Sequence, residues 1–159
     1  MALRFRLLTN SIGSWAVFAP LIGHWSNERL SIAPGEDGPG LQLVATARPT
    51  STLPLDAPVG PGIFALRWFE CADPDADEFV DLSVGAWPAF EDGTPGTRIF
   101  GLFRTDPAPD MVRFLLCTRY PDLAAWQSSR VDTNTPDFSR RRALTRRTQV
   151  SIWRLAGSA

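Results

Sequence analysis

A chain of 159 residues, 44% apolar and 21% charged, can bury the core of one ordinary domain, or of one domain plus an extension, and is not of disordered composition. Its formal net charge of −1 gives no global attraction for nucleic acid. All sixteen basic residues are Arg, which excludes Schiff-base, P-loop and lipoyl lysines, and the single His (His24) excludes a three-histidine metal site within one chain.

Two cysteines, Cys71 and Cys117, are too few for a disulfide scaffold. Both lie in apolar, strand-like runs and read as buried free thiols of a cytoplasmic protein. No window approaches the ~18 consecutive apolar residues of a membrane helix. The N-terminus only faintly imitates a secretion signal, because Gly13 and Pro20 interrupt its apolar stretch. Charge is uneven along the chain. Residues 31–129 carry six Arg against fourteen acids, a net of −8, and residues 130–159 carry a net of +5. The basic end can complement the acidic middle, within one chain or between chains.

Residues 1–49 form an N-terminal extension. Leu3–Phe5 resembles Leu66–Trp68 and Gly23–Trp25 resembles Gly85–Trp87, so the extension reads either as a degenerate half-repeat of β-α-β form or as a chance likeness. Residues 50–62 are a Pro/Gly linker. From residue 63 the signals sharpen. Ile63–Cys71 is an apolar, aromatic strand. Asp73-Pro74-Asp75 opens a helix, with Asp73 as cap and Pro74 in the first position. Phe79, Leu82, Ala86 and Phe90 recur at helical spacing, and Pro88 is expected to kink or end that helix. Thr97–Arg104 and Met111–Tyr120 are strands joined by a loop of hairpin length. Pro121-Asp122 opens a short helix over Leu123–Ser129, Thr135-Pro136 opens another running to about Arg147, and Val150–Leu155 is a final strand.

The order β-α-β-β-α-α-β is the split βαβ pattern of an α+β, ferredoxin-like domain over residues 63–156, an antiparallel sheet with helices on one face. Phe64, Leu66 and Trp68 point to one face of that sheet, and Ile63, Ala65 and Phe69 to the other. Both faces are apolar, so the face without helices needs cover. A homodimer through the sheet face, forming a dimeric α/β barrel, is the expected solution.

The segments FALRWFECADPDADEF, GTRIFGLFRTDPAPDMVRFLLCTRYPDLAAW and FSRRRALTRRTQVSIWRLAG resemble a bacterial NIPSNAP-type domain of the dimeric α/β barrel superfamily. The resemblance covers residues about 63–156. It implies a ferredoxin-like fold and dimerisation and little about activity. Residues 1–60, with the only His, lie outside it.

Several residue sets could carry chemistry. The acids Asp73, Asp75, Asp77, Glu78 and Asp81 suit a helix start better than a calcium loop. Arg140–Arg142 with Arg146 and Arg147 reads as a solvated helix face or a partner for acids. Arg67 interrupts an apolar strand among aromatics and could hold the carboxylate of an aromatic or acyl ligand. Trp87 and Trp126, on the two helices, could line a cavity above the sheet or serve as plain core. Tyr120 could donate a hydrogen bond or proton. His24 is an outside candidate, as proton shuttle or haem ligand. The function expected is the binding or modification of a small apolar or aromatic molecule without a tightly held cofactor, in monooxygenase-like chemistry if enzymatic. The alternatives are a non-enzymatic protein–protein assembly module and a haem-binding protein using His24. A closed, wholly apolar interior favours assembly; a cavity with convergent Arg67, Tyr120 or His24 favours ligand chemistry.

Overall fold

The structure is a computed structural model, described for residues 2–10, 15–53, 56–130 and 136–156. Eight strands and three α-helices are found among these residues: β1 (Arg4–Thr9), β2 (Ala16–Ile22), β3 (Leu30–Pro34), β4 (Leu41–Ala45), β5 (Ile63–Ala72), α1 (Ala76–Gly93), β6 (Arg98–Arg104), β7 (Met111–Tyr120), α2 (Leu123–Ser129), α3 (Pro136–Leu144) and β8 (Thr145–Leu155). No helix among them is long and apolar enough to cross a membrane.

The C-terminal strands lie in the order β8-β5-β7-β6, all antiparallel, which is the ferredoxin-like arrangement the element order implies. The sheet does not stop there. β2 adds to β8, β4 adds to β6, and β1 and β3 complete the ring, so the eight strands close into a barrel within one chain. Closure removes every free edge.

This corrects two expectations. The N-terminal extension is not β-α-β: its described residues hold four strands, and His24-Trp25 sits in the turn between β2 and β3. Pro20 is tolerated inside β2 because the register against β8 shifts between Pro20 and Ile22, where a ladder bond is already lost. The apolar sheet face offered to a second copy is covered by β1–β4 of the same chain. Phe64 and Leu66 pack there against Phe5, Phe18, Ile32, Leu43 and Trp153, with Trp68 at the margin. A homodimer through that face therefore has no open surface to use.

The opposite face of β5–β8 carries the helices. Phe69, Cys71, Val112 and Phe114 meet Phe79 of α1, and Phe79 stacks on Phe114 with ring centroids 4.6 Å apart. Each fully buried Phe contributes about 1.5–3 kcal/mol of burial. Cys71 lies on the helix side and Cys117 inside the barrel; both are free.

Three local boundaries differ from expectation. Asp73–Asp75 is a 3₁₀ turn ahead of α1, and Asp73 makes no cap; it pairs with Arg104 at 3.3 Å. α1 runs through Pro88 to Gly93, because Trp87 and Phe90 on either side both pack onto the sheet and outweigh one lost backbone bond. α3 ends at Leu144, three residues early, and β8 starts at Thr145 instead of Val150. The segment pairs there with β5, and Arg147 forks onto Glu70 at 2.8 and 2.9 Å. α2 has its expected bounds, with Asp122 accepting from the Ala125 N–H at 2.7 Å.

Candidate functional site

Strand alternation places Arg67 and Phe69 of β5, Ile99 of β6, Leu116, Thr118 and Tyr120 of β7, and Thr148 of β8 on the helix side of the sheet. Above them stand Trp87 and Phe90 of α1, Trp126 of α2, and Phe138 and Arg141 of α3. Between the two layers is a half-open cleft of about 330 Å³, the size of a small-ligand site. The start of β5 is locked against this cleft by Gly62, whose φ of +109° suits only glycine and where a side chain would collide with the Tyr120 carbonyl.

The cleft brings together Arg67, Trp87, Tyr120 and Trp126, four of the five residues singled out from sequence. It does not include His24. That ring hydrogen-bonds Glu28 at 2.8 Å and packs on Trp153 at 4.8 Å. Trp153 belongs to the barrel interior, whereas its neighbour Ile152 packs with Tyr120 toward the helices, so His24 is on the other side of β8 from the cleft.

The charged groups of the described cleft lining are all cationic. Arg67 reaches Thr148 Oγ1 at 3.4 Å. Arg141 donates to Ser83 Oγ at 3.4 Å and lies over the rings of Phe138, Phe69 and Phe79 at 4.9, 5.1 and 5.9 Å. Arg130 sits over Trp126 at 5.0 Å. Trp87 is 4% exposed, and its indole N–H is buried without an acceptor among the described residues. No carboxylate is found among the described residues lining the cleft. Burial pulls Arg67 below the usual guanidinium value, and the charge of Arg130 pulls it further. Burial, then the charge of Arg67, brings Arg141 down to about 10. Burial raises Tyr120 while a hydrogen bond with Ser129 draws it back, so the phenol is neutral and a donor at pH 7. The thiols take no part: burial, with Asp75 nearby, raises Cys71 to about 11, and burial raises Cys117 further.

The other strand arginines go elsewhere. Arg104 pairs with Asp73 and Asp77, Arg113 lies over Trp68 at 4.2 Å beside Glu70, and Arg119 bonds the carbonyls of Val59 and Gly96. The charge asymmetry along the chain closes within the chain, through Arg140–Glu78 at 2.6 Å and Arg147–Glu70. Sequence reasoning missed Arg141, which it read as part of an exposed basic run. The signal was present: Arg141 stands three residues after Phe138 and three before Leu144, in the apolar stripe of α3.

No family model matches the chain, and no curated protein matches it significantly. Two solved structures share its fold. One is an uncharacterised ferredoxin-fold protein from Listeria monocytogenes, described as related to antibiotic biosynthesis monooxygenases. Its TM-score is 0.64 at 12% identity, over 96% of this chain and 95% of that one. The other is a haem-degrading enzyme from the same species, with TM-score 0.63 at 13% identity, over 94% and 97%. These neighbours show the fold as α+β and ferredoxin-like, and in this chain the eight strands close the barrel on themselves.

Proposed function

We propose that this protein binds a small apolar or aromatic molecule in the cleft between helices and sheet, and modifies it without a tightly held cofactor. One observation carries the reading: Arg67 and Tyr120 converge with Trp87 and Trp126 on a single cavity, while the barrel interior is filled with side chains. That is the feature that separates ligand chemistry from a purely structural assembly. In this reading the tryptophans, with Phe90 and Phe138, hold the ligand's apolar body. Tyr120 steers an oxygen of the ligand through its phenol O–H, and Arg67 faces that end of the molecule. The likeness to a fold neighbour described as related to antibiotic biosynthesis monooxygenases supports an oxygenase as the form the chemistry takes. The NIPSNAP-type resemblance of residues 63–156 implies a ferredoxin-like fold as well, and little about activity. The buried free thiols of Cys71 and Cys117 support a cytoplasmic setting.

Haem, suggested by the second neighbour, finds a poor donor set here. The described cleft lining contains no His, Cys or Met, and its one phenol is held in the neutral form. We therefore assign no step to haem.

The test is native mass spectrometry of the purified protein, followed by oxygen-electrode assays with an electron-rich polyphenol. The reading expects a retained or added small molecule at one per chain, lost in Trp126→Ala. Stoichiometric binding that survives loss of Trp126 and of Tyr120 would place the ligand elsewhere and overturn it.

A further inference from the structure

We infer that the ligand of the cleft is an anion: a planar carboxylate on an aromatic or apolar body, its oxygens held between Arg67 and Arg141. This rests on the cleft being the binding site, as proposed above, and adds the chemical class of what enters it.

The polar inventory of the cleft is one-sided. Four guanidinium groups, Arg67 from the sheet, Arg130 just after α2, and Arg141 and Arg142 from α3, line the same space as Trp87 and the Tyr120 phenol, and the Trp87 N–H is buried without an acceptor among the described residues. Around Arg67 and Arg141 the structure provides hydroxyl oxygens, at Thr148 and Ser83, each at the long distance of 3.4 Å, and aromatic faces. It provides no carboxylate among the described lining residues. Several arginines elsewhere are matched to acids: Arg48 to Glu91, Arg104 to Asp73, Arg140 to Glu78 and Arg147 to Glu70. Arg67 and Arg141 have no such partner among the described lining residues. Two partly desolvated cations without a counter-charge among the described residues are costly, and an anion carried in by a ligand removes the cost. The nature of the donors also selects the anion. Guanidinium forks match the two oxygens of a carboxylate, and the unpaired indole N–H and neutral phenol supply further donors and no competing charge. Burial, and then the charge of Arg130 on Arg67 and of Arg67 on Arg141, lowers both guanidinium values, in keeping with this geometry. The aromatic walls complete the class, since a fully hydrated inorganic anion gains nothing from Trp87, Phe90, Trp126 and Phe138.

The experiment is a calorimetric comparison of 2-naphthoate with its neutral isostere 2-naphthamide on the full chain, at pH 7.5 and 0.15 M salt. Arg67→Met and Arg141→Met are run beside it, with Arg140→Gln, outside the cleft, as the charge control. Circular dichroism and melting confirm that each variant is folded. The proposal expects naphthoate to bind about tenfold or more tightly than naphthamide. It expects that preference to collapse in either cleft variant and to persist in Arg140→Gln. Equal binding of both probes in the wild type overturns the anion assignment and leaves the cleft reading standing. A naphthoate preference that survives both Arg67→Met and Arg141→Met also overturns it. Failure of both probes to bind at millimolar concentration overturns the cleft reading and, with it, this one.

Discussion

Arg67 and Arg141 enter one cleft from opposite layers, Arg67 from the middle of β5 and Arg141 from α3, and no acid of the described lining stands between them. Burial and then the neighbouring Arg67 charge bring Arg141 to about 10, so its charge becomes titratable within reach of experiment. Binding of an aryl carboxylate requires the charged form. Bound anion favours that form, so binding takes up a proton above pH 10 and affinity falls as pH rises through that value. Titration of 2-naphthoate at pH 7, 8, 9, 10 and 10.5 checks this. A flat profile below pH 9 and a decline above it is expected, and in Arg141→Met the decline disappears.

The same arrangement sets a stability prediction. Arg141→Met removes a desolvated charge and keeps an apolar stem against Phe69, Phe79 and Phe138. The loss of cation–π attraction and the relief of desolvation oppose each other, and the net change in unfolding free energy is expected to stay within about 1 kcal/mol. Urea unfolding of the ligand-free protein measures it. Phe79→Ala, by contrast, empties a stacked position with 0% exposure and is expected to cost about 3–5 kcal/mol.

Much of the C-terminal half was legible because its signals are local. Met111–Tyr120 and Leu123–Ser129 have the expected bounds, since an apolar run between breakers and an Asp cap are read within ten residues. The alternation Phe64-Leu66-Trp68 against Ile63-Ala65-Phe69 correctly divided the two faces of β5. What covers the barrel face was not legible, because β1–β4 pair through long-range contacts that no local pattern encodes. Thr145–Gln149 reads as a charged helix end, yet the ladder with β5 and the Arg147–Glu70 fork make it a strand. In the cleft, Arg67 was visible as a charge breaking an apolar strand. Arg141 was hidden by its neighbours Arg140 and Arg142, since a run of three identical residues conceals which one turns inward. His24 attracted attention by being the only histidine, and rarity is not placement.

The barrel closure predicts how the chain behaves when cut. Residues 63–156 alone expose Phe64, Leu66, Leu115 and Trp153, which β1–β4 normally cover. Such a fragment is expected to dimerise or aggregate through that face. Light scattering at micromolar concentration checks it, and a stable monomeric fragment contradicts the expectation.

Gly62 ties the backbone to the site. Its positive φ and the Tyr120 carbonyl both exclude a side chain. Gly62→Ala is expected to destabilise by more than about 1 kcal/mol and to weaken ligand binding with it, because β5 must shift away from Tyr120. Denaturant midpoints and naphthoate titrations measure the two effects together.

The acid side of the stability curve rests on matched carboxylates. The Arg147 hydrogen bonds hold Glu70 below its ordinary value, and those of Arg140 do the same for Glu78. A lowered carboxyl contributes stability that is present above about pH 4.5 and is lost as pH falls through the folded value. Glu70→Gln with Glu78→Gln is expected to flatten the decline in melting temperature between pH 4.5 and 3. An unchanged slope in differential scanning calorimetry counts against it.

The most direct measurement is a crystal structure of the protein with 2-naphthoate. The account predicts the naphthalene ring between Trp87 and Trp126, with the carboxylate within hydrogen-bond distance of both Arg67 and Arg141. Naphthoate bound at any other place, or a cleft left empty at a concentration where calorimetry shows saturation, would contradict it.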